Sequence, residues 1–369
     1  MTRIAFLVTH LSGSGHLVRV LALARAASAR GAAALVLSGG RPLPHLAQDE
    51  VALHQLPALT VRDLDFSTLR HPDGRPASSA ELAARRDAVV AALAAFGPDL
   101  LVTETFPFGR RALAEEFTAA IACVRARPGT RIVASVRDIP EPPKKPGRLE
   151  AAAERIRRDY DAVLVHGEAA LVGLDATWPL PVDLAGRVQH TGYVGPPDQP
   201  ERPRGETVVV AGGGGDLGRA LLAAAAEAAV RSSRPWHLLV GGVSAAADAT
   251  ALCGPNVTAE PLRPDYPELL AGAACSVSLA GYNTVMDLAA CRTPAILVPA
   301  ADKGEVEQSI RAARLRDFPG ITVIAPADAT PERLAEAAEV AAQGPRRDRW
   351  PWPRDGAARA AAALCEIAR

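Results

Sequence analysis

The sequence predicts an α/β protein built from two doubly wound, Rossmann-like domains that face each other across a cleft. Three observations carry this. Apolar runs of strand length alternate with runs of helical spacing along the whole chain. Each half opens on a strand, a glycine-containing turn and a helix: residues 4–9 with Ser12-Gly-Ser-Gly-His16, and residues 207–211 with Gly212-Gly-Gly-Gly-Asp216. Between the halves, residues 196–205 hold four prolines among alternating charges, the composition of a linker. The expected domains are 1–195, a linker over 196–206, 207–345, and a returning segment over 346–369.

The elements follow in order. Residues 4–9 read as a buried strand. Leu, Val and Ala at helical spacing predict a helix over 17–30, ended by Gly31. A strand at 33–38 follows, then irregular chain with strand-like pieces and polar loops over 46–77. Helices are predicted at 80–96, 111–127 and 149–160, and strands at 99–104, 131–136, 162–165 and 187–194. A Pro/Lys-rich loop occupies 140–147. In the second half, strands are predicted at 207–211, 237–240, 257–260, 275–280, 294–300 and 321–324. The helices between them fall at 217–231, 245–252, 265–271 and from 282. Thr330 caps a helix over 331–343, and a last helix spans 356–369.

Composition narrows the function. The 369 residues are 49% hydrophobic, enough for two cores, and formal net charge is zero, which argues against a general nucleic-acid binder. The five cysteines are scattered, with no C-x-x-C pair and no metal-ligand spacing, so free thiols in a reduced compartment are expected. No uncharged apolar run reaches the roughly 18 residues of a membrane span. A cytoplasmic protein without metal or cofactor is the expectation. Arg346, Arg347 and Arg349 interleave with Trp350 and Trp352. That pattern suits peripheral contact with a membrane surface, and equally a crossover that returns the last helix to the first domain.

Candidate site residues lie at strand ends and glycine turns, where open α/β sheets bind ligands. Gly13 and Gly15 let backbone approach a ligand closely, and His16 beside them is the candidate general base. Glu104, Arg137, Asp138 and His166 end strands on the same side. In the second half, Gly213, Gly214 and Gly215 leave N–H groups free for a diphosphate. The stretch Ser278-Leu-Ala-Gly-Tyr-Asn-Thr-Val-Met-Asp287 reads as a strand, a tight turn at Gly281 and a helix start. Asn283 and Thr284 there offer phosphate contacts. Asp287 is placed to accept from ribose hydroxyls, while Glu307 and Gln308 add polar groups at the carboxyl end of the sheet. The first turn lacks the third glycine and the following acid of a dinucleotide fingerprint, which argues against a nicotinamide or flavin site.

Taken together these blocks resemble a known family. Gly13-Ser-Gly-His-Leu-Val-Arg19 is similar to the G-x-G-H-x-x-R turn of GT-B glycosyltransferases related to the lipid-linked peptidoglycan N-acetylglucosaminyltransferase. The stretch from Ser278 to Asp287, with Pro294-Ala-Ile-Leu-Val-Pro299 and Glu307-Gln308, resembles that family's donor signature. Glu104-Thr-Phe-Pro-Phe-Gly-Arg-Arg111, Val136-Arg-Asp-Ile139, Tyr160-Asp-Ala-Val-Leu-Val-His-Gly167 and His190-Thr-Gly-Tyr-Val194 resemble a less characterised bacterial branch of predicted glycosyltransferases. The resemblance implies a nucleotide-diphosphate sugar, a UDP-sugar foremost, held by the second domain. It also implies a hydroxyl acceptor on the first domain and inversion without an essential metal. Asp287 departs from the pattern, where Glu is commoner. Two other readings stand beside transfer: a nucleotide-sugar hydrolase, and a non-catalytic nucleotide-sugar-binding partner subunit.

Overall fold

The computed structural model describes residues 1–369 apart from 44–45, 47–49, 63–64, 214–217, 243 and 301–305. The chain divides into two compact units. One comprises Met1–Val194 with Pro353–Arg369, the other Gly195–Trp352.

The first unit is a seven-stranded parallel sheet. Its strands are β1 (Arg3–Val8), β2 (Ala33–Ser38), β3 (Ala52–Gln55), β4 (Leu100–Glu104), β5 (Arg131–Arg137), β6 (Ala162–His166) and β7 (Val188–His190), in spatial order β3-β2-β1-β4-β5-β6-β7. Parallel strands need crossovers, supplied by α1 (Gly15–Ala29), α2 (Ser79–Phe96), α3 (Ala114–Arg125) and α4 (Arg148–Asp159). Period-2 alternation sends side chains to two faces. Ala5, Leu7, Leu101, Ala134 and Val165 pack on one of them with Val89 of α2 and Phe117 of α3. Ile4, Phe6, Val8, Val102, Val133 and Leu164 pack on the other, covered by α1 and by the last helix, Gly356–Ile367.

The second unit is a six-stranded parallel sheet. Here β8 (Val208–Ala211), β9 (Trp236–Val240), β10 (Val257–Pro261), β11 (Cys275–Ser278), β12 (Ala295–Leu297) and β13 (Ile321–Val323) take the order β10-β9-β8-β11-β12-β13. The helices are α5 (Arg219–Ala229), α6 (Ala245–Leu252), α7 (Tyr266–Gly272), α8 (Tyr282–Ala289), α9 (Glu307–Leu315) and α10 (Pro331–Gln343); the last helix of the chain, Gly356–Ile367, is α11. Strand order reverses between β1 and β4 in the first sheet and between β8 and β11 in the second. Each reversal leaves a crevice at the carboxyl ends of its two central strands.

Most predicted elements are present. The strand at 33–38 and the helix at 331–343 agree at both ends, and Thr330 accepts a hydrogen bond from the Arg333 N–H at 3.3 Å. Four predictions need correction. The strand predicted over 187–194 stops at His190, because Gly192 takes φ +81° and Val194 pairs with Asp355 instead. The strands predicted over 275–280 and 294–300 are shorter, Cys275–Ser278 and Ala295–Leu297. The helix predicted over 111–127 begins as a 3-10 turn at Arg111–Leu113, following Arg110 at φ +59°.

Candidate active site

Register builds the first unit's site. Glu104 ends β4 directly opposite Ser135 on β5, and Arg137, two residues on, lies opposite His166 on β6. Alternation therefore places Glu104, Ser135, Arg137 and His166 on one face, at the carboxyl ends of their strands. This is the face covered by α1, whose first turn brings His16 and Arg19 over the same spot. Gly13, at φ +67°, makes the turn into α1 in a conformation that favours glycine. Gly15 is the first helical residue, and no side chain caps α1.

Nδ1 of His16 lies 3.0 Å from Oε1 of Glu104, 3.1 Å from Nη2 of Arg19 and 3.2 Å from Oγ1 of Thr105. The Arg19 guanidinium, 3% exposed, donates to the same Glu104 oxygen. Ser135 Oγ donates to Oε2 of Glu104 at 2.5 Å. Burial pushes the Glu104 carboxyl up, but Arg19 and His16 outweigh it and hold the group below the usual carboxylate range. Burial and the Arg110 guanidinium lower His16, against the opposing pull of Glu104, to about 3. The ring is therefore neutral near pH 7. With Glu104 ionised, the Nδ1 proton is donated to it and Nε2 keeps its lone pair.

The other candidates of this unit take distinct places. Asp138 is fully buried and its Oδ1 accepts from the next residue's N–H at 2.8 Å, so it folds back on the loop. A Cβ on Gly167 would lie 2.6 Å from that of Asp138, which is why glycine follows His166. Three residues of the cluster were missed by the sequence reading. Ser135 sits mid-strand among apolar neighbours. Thr105 adopts φ +69°, strained for a β-branched residue, directly after Glu104. Arg110 donates from Nε to the Thr9 carbonyl at 2.7 Å.

The second unit's site lies at the ends of β8 and β11. Gly213 has φ +77°. A Cβ on Gly212 would lie 2.7 Å from Leu222, and one on Gly218 would lie 2.1 Å from the Gly212 carbonyl oxygen, so this turn packs directly on α5. Gly214, Gly215 and Asp216 lie outside the described residues. Ser278 ends β11, fully buried, its hydroxyl without a hydrogen-bond partner among the described residues.

Gly281 needs a different explanation from the tight turn expected of it. Its φ of −65° suits any residue, and a Cβ there would meet nothing closer than 4.0 Å. Glycine instead keeps side-chain bulk away from the N-terminus of α8: it is the N-cap, and it supplies no capping side chain. Asn283 and Thr284 occupy that first turn. Asp287 follows on the same helix, and burial raises its carboxyl to about 7.

Glu307 and Gln308 are tied into the scaffold. Glu307, 2% exposed, pairs with Arg311 at 2.6 Å, and Arg311 donates to the Ala280 carbonyl at 2.7 Å. The Gln308 Oε1 accepts from the N–H groups of Ala280 at 3.0 Å and Ala300 at 3.1 Å, bridging the loops after β11 and β12. The basic–aromatic stretch is also partly internal. Arg347 is 1% exposed and donates to the Cys291 carbonyl at 2.6 Å, while Trp350 and Trp352 pack against Phe318. Among the described residues no group of His, Cys, Asp and Glu is arranged to hold a metal ion. No helix among them is long and apolar enough to cross a membrane.

Residues 207–349 match the glycosyltransferase family 28 C-terminal domain. The matched stretch lies within the second unit. The match takes in the glycine turn after β8, the α8 N-terminus and the Glu307–Gln308 pair. Over 83 residues the chain is 40% identical to the UDP-N-acetylglucosamine–N-acetylmuramyl-(pentapeptide) pyrophosphoryl-undecaprenol N-acetylglucosamine transferase of Rhodopseudomonas palustris (strain HaA2). The aligned stretch is 22% of this chain and 23% of that relative, under a quarter of its length. Likeness of fold extends over the whole chain. MurG of Acinetobacter baumannii superposes with TM-score 0.57 at 16% identity, over 99% of this chain and 95% of that one. Phytolacca americana UGT2, solved with UDP-2-fluoro-glucose and pterostilbene, superposes with TM-score 0.61 at 15% identity, over 100% and 94%. The fold is GT-B, with a Rossmann-like parallel sheet in each half.

Proposed function

We propose that the chain transfers a sugar from a nucleotide-diphosphate donor, a UDP-sugar foremost, to a hydroxyl acceptor, with inversion at the anomeric carbon. One observation carries the reading: Glu104 holds Nδ1 of His16 and leaves Nε2 of a neutral ring at the switch point of the first sheet. That atom takes the acceptor's hydroxyl proton as the new glycosidic bond forms, and Glu104 stabilises the imidazolium that results. The hydroxyl oxygen attacks the anomeric carbon from the side opposite the diphosphate, which leaves with the electrons of the old bond.

The second unit's features fit the donor. The N-terminus of α8, where Gly281 brings no side chain, and the turn at Gly213 would offer backbone N–H groups to a diphosphate, taking up charge that a metal neutralises in other transferases. Asn283 and Thr284 add side-chain contacts. Asp287 accepts from ribose. With the Gln308 carbonyl committed to two backbone N–H groups, its amide NH2 is the part left to meet the sugar. The relative in Rhodopseudomonas palustris acts on a lipid-linked precursor by its name, which favours an acceptor in cell-envelope synthesis. Contact with a membrane surface falls to Arg349 and the tryptophan edges, since Arg347 faces inward; co-sedimentation with anionic vesicles tests it.

The deciding experiment pairs a thermal-shift panel of nucleotide sugars with the variant His16→Ala. One diphospho-sugar should stabilise both proteins equally, while transfer falls by about 100-fold or more in the variant. Loss of donor binding together with turnover would remove His16 from the role of base. Fast release of free sugar without acceptor would replace transfer by hydrolysis, and an unchanged rate in chelator is expected.

A further inference from the structure

We infer that Ser135 and His166 are positioning residues for His16, acting through Glu104 in one buried chain of hydrogen bonds whose direction leaves Nε2 of His16 as the basic atom. The inference rests on the reading of His16 as the base. It adds two residues that touch no reacting atom.

The chain runs across three strands. Ser135 Oγ lies 2.5 Å from Glu104 Oε2 and 2.9 Å from Nε2 of His166. Nδ1 of His166 lies 2.9 Å from Oγ1 of Thr191. Glu104, Ser135, His166 and Thr191 are each at most 1% exposed. Proton counting sets every direction. An ionised carboxylate only accepts, so the one hydroxyl proton of Ser135 points at Glu104. Ser135 then has only lone pairs for His166, so Nε2 of His166 carries the ring proton. A neutral imidazole has one N–H, so Nδ1 of His166 accepts from the Thr191 hydroxyl.

The consequence reaches His16. The oxygen Oε2 is engaged by Ser135, so the carboxylate cannot turn, and Oε1 faces Arg19 and the Nδ1–H of His16. Nη2 of Arg19 also lies 3.1 Å from that Nδ1, but its N–H is drawn to the ionised Oε1, so the ring's tautomer is set with the lone pair on Nε2. Other charged groups face this chain: Arg19 from α1, Arg110 from the loop after β4, and Arg137 with Asp138 at the end of β5. Burial holds His166 low, near 3, in keeping with one ring proton.

The first test needs no substrate, so it stands apart from whether the chain transfers a sugar. Long-range 1H–15N spectra of the full chain report each histidine's tautomer. His166 should appear neutral with its proton on Nε2, and His16 neutral with its proton on Nδ1. In Ser135→Ala the His16 ring should shift toward a mixture of both tautomers. A His16 proton on Nε2 in the parent, or a His16 signal unmoved by Ser135→Ala, overturns the inference.

The second test uses turnover. Ser135→Ala should lower kcat about tenfold, the weight of one hydrogen bond to a charged group, with donor KM unchanged. It should also raise the pH of the acid limb, because Glu104 and His16 both become more basic. Ser135→Thr, which keeps the hydroxyl, and His166→Gln, which keeps an N–H donor, should retain activity that His166→Met loses. Equal loss in Ser135→Thr and Ser135→Ala, or an unmoved acid limb, would reduce the chain to core packing. Tautomers as stated without turnover on any acceptor would sink the transferase reading and leave the chain standing.

Discussion

Acidification from about pH 7.5 to about pH 5 should cost the first unit about 2 kcal/mol through His166 alone. His166 is fully buried, and its pKa is lowered from an ordinary 6.5 to about 3, by burial first and by Arg19 second, with Glu104 opposing. The sign follows from proton binding. Between the two values the unfolded chain holds the proton and the folded chain does not, so stability falls with pH from about 6.5 downward. At about pH 5 the unfolded imidazole gains RT ln(1 + 10^1.5), about 2 kcal/mol, while the folded ring gains almost nothing. Any folded value below about 4 gives the same figure, because the ring is then unprotonated at this pH. His16 adds a loss of the same sign, since its pKa too is lowered to about 3. The assay is native-state hydrogen exchange of β5 and β6 amides, corrected for intrinsic rates, in the parent and in His166→Gln. The parent should lose about 2 kcal/mol more than the variant over this range. Identical pH slopes would refute a neutral buried His166, and a ring resonance of His166 that titrates near 6.5 would do so independently.

Three further predictions concern the second unit. Donor affinity should rise with pH through about 7 as Asp287 ionises and becomes a pure acceptor for ribose, and Asp287→Asn should flatten that dependence; dissociation constants at about pH 6 and pH 8 check it. Gly218→Ala should destabilise the unit by about 1–3 kcal/mol, because its Cβ would lie 2.1 Å from the Gly212 carbonyl oxygen; urea unfolding measures it. Gln308→Ala leaves the Ala280 and Ala300 N–H groups without their acceptor, at about 1–3 kcal/mol each, so a drop in melting temperature should accompany any loss of donor binding.

The fold was legible because parallel α/β sheets write themselves as buried strands, glycine turns and helices that alternate through most of the chain. The strand at 33–38 agrees to the residue because apolar side chains fill it and turn residues bound it. The strand over 187–194 did not, because a positive φ at Gly192 and a bridge from Val194 to Asp355 depend on chain far away in sequence. At the site, His16 and Glu104 were each visible as polar residues at the end of an element. Their pairing was not, since 88 residues separate them and only the strand order brings them together. Ser135 was hidden because a small polar residue inside an apolar strand carries no signal of its own. It becomes visible once Glu104 and Ser135 are known to be register partners. Gly281 shows the reverse failure. The residue was picked for backbone freedom, and the structure uses its missing side chain.

The arrangement of α11 bears on how this chain comes into being. Ala360, Ala361 and Leu364 cover α1 and one face of the first sheet, yet they emerge from the ribosome after the entire second unit. The second unit is one unbroken stretch and can collapse as soon as it is made. The first must wait with a greasy flank open to water, and to any chaperone, until the last residues arrive. A ribosome that stalls before Gly356 would release a chain with a finished second unit and an unfinished first one.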